Sequence, residues 1–224
     1  MYTVIIPAAG QGKRMGSTKN KVLLELNGKP IIYHTVSIFE KDINCAAVYL
    51  AAREEEIAYL KDLLKDCSKV KGIMVGGSER QYSIYNVLKN IPQCEIVMVH
   101  DAARPFVSHE TLQVLYDATA EKQAVIAAVP VKDTIKMVSD SVIERTLNRA
   151  ALWQVQTPQS FDYRLLLNAY RAAEQDDFLG TDDASLVERL GESVSVIESD
   201  YDNIKLTTPE DLYFAEAIMK KRGI

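Results

Sequence analysis

IIPAAGQGKRMG, residues 5–16, begins as an apolar run and changes at Pro7 to small and then basic residues. An apolar run that stops at a proline predicts a buried β-strand followed by a loop. Lys13 and Arg14 add positive charge to the loop, and its small residues expose backbone N–H groups to a ligand. These small residues are Ala8, Ala9, Gly10 and Gly12. The stretch therefore predicts a phosphate-binding loop.

The loop matches neither of the two common glycine-rich phosphate motifs. A Walker loop, GxxxxGK[ST], requires glycine where this chain has Pro7 and Ser or Thr where it has Arg14. The dinucleotide fingerprint, GxGxxG, requires a third glycine where this chain has Met15. We therefore expect neither a P-loop nucleoside triphosphatase nor a nicotinamide-dependent oxidoreductase.

Lys21 supplies a further cation shortly after Arg14. A guanidinium can form two parallel hydrogen bonds with phosphate oxygens, and an ammonium can approach them as a point charge. Two cations near one phosphorus would stabilise the charge that develops during phosphoryl transfer. The pair indicates an enzyme that acts on a polyphosphate.

Along the rest of the chain, apolar runs rich in Val and Ile alternate with helical patterns. The predicted strands cover residues 4–7, 46–52, 72–75, 95–100, 124–131, 193–199 and 203–206. The predicted helices cover residues 30–42, 53–66, 78–91, 108–122, 162–176, 182–190 and 209–222. Uninterrupted apolar strands between helices are typical of a parallel sheet that is buried on both faces. We expect an α/β fold with a doubly wound, mostly parallel, Rossmann-like sheet and helices on both faces.

Three loops follow predicted strands and should meet at one edge of this sheet. They cover residues 8–14, 76–80 and 100–104, and each is rich in glycine or polar residues. Ligands of such sheets bind outside the carboxyl ends of the strands. The site should therefore lie where these loops converge.

Residues 132–161 interrupt the alternation with β-rich pieces and a turn signal at 139–141. The pattern predicts a β-hairpin that protrudes from the sheet as a dimerisation arm. No linker or repeat divides the chain, so we expect a single domain, 1–224, with an arm subdomain at about 132–156.

The net charge of −5 argues against a nucleic-acid partner. The longest apolar runs are far shorter than the ~20 residues of a membrane span, and the first residues resemble a strand and not a signal peptide. The three cysteines are dispersed and have no metal-binding spacing. These features predict a cytoplasmic protein with no membrane association and no structural metal.

Seven motifs, distributed over nearly the whole chain, resemble one family of nucleotidyltransferases. They are PAAGQGKRM (7–15), GGSERQYSI (76–84), VHDAARPF (99–106), VPVKDTIK (129–136), LWQVQTPQSF (152–161), GTDDAS (180–185) and DNIKLTTPEDL (202–212). The family is that of the 2-C-methyl-D-erythritol 4-phosphate cytidylyltransferases of non-mevalonate isoprenoid synthesis. The resemblance implies transfer of a cytidylyl group from CTP to this sugar-alcohol phosphate, with Mg²⁺, in a homodimer whose arms are exchanged.

Ribitol-5-phosphate cytidylyltransferases share several of these motifs and are the nearest competing family. That family tends to open with LAGG, and it tends to lack the second lysine of KDTIK and an R-x-x-LW segment. This chain instead has PAAG at 7–10, Lys136, Arg149 and Trp153, which favours methylerythritol phosphate. Two hypotheses without catalysis also stay open, a nucleotide-binding module that has lost turnover and a purely structural dimer.

The resemblance also implies a role for each site residue. Arg14 and Lys21 would stabilise the pentavalent transition state, and Arg149 and Lys205 would position the attacking phosphate. Contacts with CTP would come from Ala8, Ala9, Gly10, Gly12, Gly76, Gly77, Arg80, Ser83 and Asp101. Contacts with the sugar-alcohol phosphate would come from Arg104, Thr134, Arg149, Thr157, Thr181 and Lys205. Thr134 and Arg149 would serve the active site of the neighbouring subunit, and Asp101 is a candidate contact of Mg²⁺, through water.

Five further positions carry simpler interpretations. We expect His100 to make a structural hydrogen bond at the end of a strand, and Ser78 and Ser108 to cap helices. Asp182 and Asp183 are interpreted as an acidic pair at a helix N-terminus, where the helix dipole favours negative charge.

Overall fold

A computed structural model describes residues 1–10 and 20–224. The predictions for Gly12, Lys13 and Arg14 fall outside the described residues. The strands are β1 (Tyr2–Pro7), β2 (Glu25–Leu26), β3 (Lys29–Pro30), β4 (Cys45–Ala52), β5 (Val70–Val75), β6 (Ile96–Val99), β7 (Ala124–Pro130), β8 (Lys136–Ser139), β9 (Val142–Thr146), β10 (Trp153–Asp162) and β11 (Ser195–Glu198). The helices are α1 (Ile31–Lys41), α2 (Ile57–Leu63), α3 (Arg80–Leu88), α4 (His109–Lys122), α5 (Tyr163–Gln175), α6 (Asp183–Arg189) and α7 (Glu210–Arg222).

The central sheet has seven strands in the order β11-β7-β10-β6-β1-β4-β5. Strand β10 runs antiparallel to both of its neighbours, and the remaining neighbours in this sheet pair in parallel. The predicted mostly parallel α/β fold is confirmed. The order changes direction at β1, so the loops after β1, β4, β5 and β6 lie together at one edge of the sheet.

Successive residues of the central strands enter cores on opposite faces of the sheet. Val4 and Ile6 of β1 belong to one cluster, with residues of α1, α2 and α4, while Ile5 belongs to a second cluster, with residues of α3, α5 and α6. This alternation follows from the two-residue period of a strand. Both faces are buried, which explains why β6 and β7 are apolar throughout.

The predicted hairpin forms from β8 and β9, which pair antiparallel outside the central sheet. Its turn lies at Asp140 and Ser141, both at positive φ, as short turns between hairpin strands require. The predicted arm extends too far along the chain, because residues 153–155 already pair with β7 in the central sheet.

Some local predictions are confirmed and others are wrong. The Ser108 side chain caps α4 by accepting a hydrogen bond from the Thr111 amide. Ser78 does not cap α3, whose N-cap residue is Glu79. The helix predicted at 53–66 is a 3₁₀ turn at Glu54–Glu56 followed by α2. Residues 203–206 form no strand, although their alternating apolar side chains are partly or fully buried. In the described part of the chain, no helix is long and apolar enough to cross a membrane.

Candidate active site

A cleft of about 760 Å³ lies at the edge of the sheet where the loops after β1, β4, β5 and β6 meet. This is where the sequence places the site, and most of the predicted residues line the cleft. Those that do are Ala8, Ala9, Gly10, Lys21, Gly76, Gly77, Arg80, Ser83, Asp101 and Lys205. The convergence of the predicted loops is therefore confirmed for the described residues.

The two glycines after β5 allow the backbone to pass close to its neighbours, Gly76 to the loop after β1 and Gly77 to α3. A Cβ at Gly76 would lie 2.5 Å from the Ala9 Cβ, and a Cβ at Gly77 would lie 2.5 Å from the Tyr82 Cβ. Real Cβ atoms do not approach so closely, so these positions exclude larger residues. The Ser83 hydroxyl accepts a hydrogen bond from the Gly77 amide at 3.0 Å and thereby fixes the turn.

Asp101 is the centre of a cluster of cations at the base of the cleft. Its Oδ1 lies 3.2 Å from Nε of Arg80, and its Oδ2 lies 2.7 Å from Nζ of Lys205 and 3.7 Å from Nε of Arg104. Burial alone would favour the neutral acid, but Arg80 and Lys205 outweigh it and hold the pKa of Asp101 well below its usual range. The carboxylate is thus ionised and fixes the Lys205 ammonium at the cleft.

Arg80 is held by a second carboxylate, that of Asp183, whose Oδ2 lies 2.8 Å from its Nη2. Burial opposes the charge of Arg80, yet Asp183 and Asp101 together raise its pKa above the usual value. Asp182 and Asp183 were predicted from the sequence only as a helix N-terminal pair. That interpretation is confirmed for both residues, because Asp182 caps α6 and accepts from the Ser185 amide at 3.0 Å and Asp183 lies in the first turn of the helix. The contact of Asp183 with Arg80 was missed.

Three further residues brace the loop after β1, and sequence reasoning missed all of them. Arg53 donates to the carbonyls of Ala9 at 3.3 Å and Gly10 at 3.2 Å. Asn20 donates to the Ala8 carbonyl at 2.7 Å and to the Glu56 carboxylate at 2.9 Å. Arg53 directly follows β4, and a polar residue at the end of a parallel strand was the signal that could have identified it.

His100 is buried at the end of β6 and makes structural hydrogen bonds, as predicted. The Asp101 amide donates to the Thr157 hydroxyl at 3.0 Å, this hydroxyl lies 3.1 Å from Nδ1 of His100, and Nε2 of His100 lies 2.9 Å from the Arg104 carbonyl. Burial lowers the pKa of His100 to about 4. We assign the neutral tautomer in which Nε2 donates and Nδ1 accepts, because only this arrangement satisfies both contacts.

Thr157 and Arg104 lie behind the lining of the cleft. The Thr157 hydroxyl is engaged by the Asp101 amide, and Nη1 of Arg104 donates to the Asn203 carbonyl at 2.7 Å. Both side chains therefore hold the loop that carries Asp101. Their predicted contacts with the sugar-alcohol phosphate stay predictions.

Thr134, Arg149 and Thr181 are exposed and do not line the described part of the cleft. Thr134 and Arg149 flank the hairpin, and Nη1 of Arg149 donates to the Lys132 carbonyl at 2.7 Å. Thr181 immediately precedes the N-cap residue of α6. One chain by itself does not bring these three predicted residues together with Lys21 and Lys205.

Asp101 does not fit a direct metal ligand. Each of its oxygens already faces a cation, Arg80 on one side and Lys205 on the other, and these charges would compete with a metal for the same oxygens. Among residues 1–10 and 20–224, no three His, Cys, Asp or Glu side chains lie together as a metal site. Only the predicted contact through water remains open for Asp101.

Comparison with known proteins identifies the family. The sequence model described as IspD, 2-C-methyl-D-erythritol 4-phosphate cytidylyltransferase, matches residues 2–221. The chain belongs to this family. Proteins of that name from Shouchella clausii (strain KSM-K16) and Lysinibacillus sphaericus (strain C3-41) are 52% and 48% identical to it. The alignments cover 99% and 100% of this chain, respectively, and 97% of each relative.

A solved structure from Anaerococcus prevotii DSM 20548, described as 4-diphosphocytidyl-2C-methyl-D-erythritol synthase, has the same fold. It superposes with a TM-score of 0.86 at 32% identity and covers 98% of each chain. The family resemblance drawn from the seven motifs is thus confirmed, and the chain is a nucleotidyltransferase.

Proposed function

We infer that this chain transfers the cytidylyl group of CTP to 2-C-methyl-D-erythritol 4-phosphate. The products are 4-diphosphocytidyl-2-C-methyl-D-erythritol and pyrophosphate. The observation that carries this inference is the family match over residues 2–221. The cleft agrees with it, because small residues line the wall where a nucleotide would lie and Lys21 and Lys205 stand at that wall.

The reaction needs alignment and charge compensation more than it needs a base. A phosphate oxygen of methylerythritol phosphate attacks the α-phosphorus of CTP, a new P–O bond forms, and the bond to the β-phosphate oxygen breaks. Pyrophosphate leaves with that electron pair. Because the attacking phosphate is already an anion at neutral pH, no proton has to be removed, and catalysis rests on positioning and on cations.

The cations have separate tasks in this proposal. Lys21 lines the cleft beside the loop after β1, where it would stabilise the charge on the α-phosphate together with Arg14. Lys205 is held by Asp101 at 2.7 Å, where its ammonium would orient the attacking phosphate. Two positive charges would thus hold the two negatively charged groups in reach of each other.

Backbone groups of Ala8, Ala9 and Gly10 on one side and of Gly76 and Gly77 on the other would contact CTP. All five residues line the cleft. Gly12, Arg80, Ser83 and Asp101 complete the proposed CTP contacts. Arg104, Thr134, Arg149, Thr157 and Thr181 are the proposed contacts of methylerythritol phosphate.

We also propose Mg²⁺ as the divalent cation of the reaction, held by the triphosphate and touching Asp101 only through water. When bound, Mg²⁺ neutralises charge on phosphate oxygens. The pairing of Asp101 with Arg80 and Lys205 supports a metal that arrives with the nucleotide. Chelation with EDTA should stop pyrophosphate release, and added Mg²⁺ should restore it.

The functional unit in this proposal is a homodimer with exchanged arms. Thr134 and Arg149 lie beside the exposed hairpin and away from the cleft lining of their own chain. The hairpin also exposes apolar side chains, including Val138, Val142 and Ile143, which suit a subunit interface. A partner's arm would complete the site with these two residues.

We propose the cytoplasm as the compartment and exclude nucleic acid and membranes as partners. The free thiols of Cys45, Cys67 and Cys94 suit a reducing compartment. The net charge of −5 disfavours binding to nucleic acid and to anionic lipid.

Pyrophosphate release from a panel of substrates tests the proposed reaction. The panel combines CTP, UTP and GTP with methylerythritol phosphate, ribitol 5-phosphate and a hexose 1-phosphate. We expect CTP with methylerythritol phosphate to give the highest kcat/KM. A higher kcat/KM with ribitol 5-phosphate would contradict the substrate, and CTP binding by calorimetry without turnover on any substrate would favour a silent nucleotide-binding module.

A further inference from the structure

The carboxylate of Asp183 lies behind the cleft and is not among the described residues that line it. Its Oδ2 lies 2.8 Å from Nη2 of Arg80, and the Tyr170 hydroxyl donates a hydrogen bond to its Oδ1. A buried carboxylate is unfavourable unless it is paired and hydrogen-bonded. These two contacts satisfy that requirement, and the contact with Arg80 connects Asp183 to a residue of the cleft wall.

Arg80 lies between two carboxylates at that wall. Its Nε lies 3.2 Å from Asp101 and its Nη2 lies 2.8 Å from Asp183. Because the guanidinium lies within ion-pair distance of two carboxylates, much of its charge is compensated locally. Such a group is a weak partner for a triphosphate, but its remaining N–H groups are good donors to a neutral acceptor such as a base carbonyl.

A second tie fixes the start of α3 to the same segment of chain. Gln81, the next residue, accepts a hydrogen bond from the Gly180 amide at 2.8 Å and donates one to the Phe178 carbonyl at 2.8 Å. Residues around Gly180 are tightly packed, since a Cβ at Gly180 would lie 2.5 Å from the Ser185 Oγ. The position of Arg80 is thus determined by residues 178–183.

We propose that Asp183 is a positioning residue for CTP, which holds the Arg80 guanidinium at the cleft wall and reserves it for the base rather than the triphosphate. This deepens the proposed function and rests on it only in taking CTP as the nucleotide. Asp183 itself does not touch the substrate, so its effect must pass through Arg80. The two nucleotide parts, base and triphosphate, should therefore respond differently to its loss.

Asp183→Asn tests the proposal by calorimetry with two ligands, CTP and inorganic tripolyphosphate. The variant keeps the size of the side chain and removes its charge. We expect the Kd of CTP to rise about tenfold, which corresponds to one charge-assisted hydrogen bond. The Kd of tripolyphosphate should stay the same or fall, because the charge of Arg80 is then offset by Asp101 alone. Equal weakening of both ligands would mean a loosened cleft and would overturn the proposal.

A second comparison asks whether Asp183 acts through Arg80. In an Arg80→Met background, Asp183→Asn should weaken CTP binding by less than about twofold, because the group it positions is gone. If Asp183→Asn raised the Kd of CTP by the same factor in the Arg80→Met background as in the wild type, the proposal would be overturned. Asp176→Asn is the matched control, since it removes an exposed Asp–Arg pair with Arg189 at 2.7 Å, and it should leave CTP binding unchanged.

Tyr170→Phe provides a second test of the proposal for the case that Asp183→Asn does not fold. It removes only the hydroxyl that donates to Asp183 and keeps the ring stacked on Tyr85 at 5.6 Å. We expect the same split between CTP and tripolyphosphate in smaller measure, and an unchanged Kd of CTP would overturn the proposal. The calorimetry with CTP and tripolyphosphate measures binding alone. A wild-type protein that binds CTP but releases no pyrophosphate would therefore contradict the proposed reaction and leave this inference standing.

Discussion

The Arg53 side chain fixes the direction of the loop after β1. It donates from Nε to the Ala9 carbonyl at 3.3 Å and from Nη2 to the Gly10 carbonyl at 3.2 Å. A peptide unit is planar, and its N–H points opposite to its C=O. The Ala9 carbonyl shares its peptide with the Gly10 amide, so Arg53 directs that amide away from itself. The contact thus gives the nucleotide site a fixed N–H donor, the Gly10 amide.

Arg53→Ala should therefore weaken the use of CTP more than it slows the chemical step. Loss of hydrogen bonds from a charged donor should raise the KM for CTP about tenfold, with a smaller change in kcat. Steady-state rates of pyrophosphate release at varied CTP measure both constants. Arg189→Ala, which removes a surface arginine paired with Asp176, is the control. An unchanged KM for CTP in Arg53→Ala would show that the loop does not depend on this side chain.

His100 makes the stability of the protein depend on pH. Its folded-state pKa of about 4 lies below the ~6.5 of an unfolded histidine. Above pH ~6.5 both states are neutral, and between pH ~6.5 and ~4 only the unfolded state gains the proton, so stability falls as the pH falls. The low pKa of Asp101 acts in the same direction, but only once the pH falls below its usual pKa of ~3.9.

We expect the free energy of unfolding to decrease by up to ~1.4 kcal/mol per pH unit in this window because of His100 alone. Urea denaturation of the wild type and of His100→Gln at several pH values between 7 and 4 measures the slope. The variant should lose this part of the pH dependence, whatever its absolute stability. Equal slopes in the two proteins would refute the assignment of a buried neutral histidine.

At the scale of elements, the sequence predicted the sheet well and its exceptions poorly. Apolar periodicity identified the buried strands and the helices, and strand ends identified the cleft, because both are local properties of the chain. The reversed strand β10 was assigned partly to the arm, since a strand of either direction has the same two-residue period. Which neighbours it joins is decided only by the assembled sheet.

The site was predictable where a residue lies in a motif and unpredictable where it acts through a neighbour. Asp101 and Lys205 belong to motifs, Lys21 follows the first motif after a short spacing, and all three line the cleft. Arg53 and Asp183 act through cleft residues that are 43 or more positions away in the sequence, and no local pattern predicts such contacts. Ser78 was wrongly predicted to cap α3 from its residue type alone. The helix begins at Arg80, so its N-cap residue is Glu79.

For the whole molecule, arm exchange can be tested by mixing two inactive variants. Arg149→Ala has an intact cleft and a defective arm, and Lys21→Ala has a defective cleft and an intact arm. If arms are exchanged, each mixed dimer contains one complete site, so unfolding and refolding an equal mixture should restore about a quarter of wild-type activity. Arg149→Ala by itself should lower kcat/KM for methylerythritol phosphate more than it affects CTP.

Each variant refolded separately provides the control for that mixture. Activity in the mixture no higher than the mean of the two would contradict exchange and place Arg149 in the site of its own chain. An unchanged kcat/KM of Arg149→Ala for methylerythritol phosphate would remove Arg149 from the site altogether.

The central claim is that the cleft formed by the loops after β1, β4, β5 and β6 transfers the cytidylyl group, with Lys21 stabilising the charge on the α-phosphate. The most direct measurement is kcat for pyrophosphate release from CTP and methylerythritol phosphate by Lys21→Ala. We predict a loss of about 10²–10³-fold, as for removal of one transition-state donor. Lys71→Ala, which changes an exposed lysine of β5 outside the cleft lining, should keep the wild-type rate. A near-wild-type kcat in folded Lys21→Ala would contradict the account.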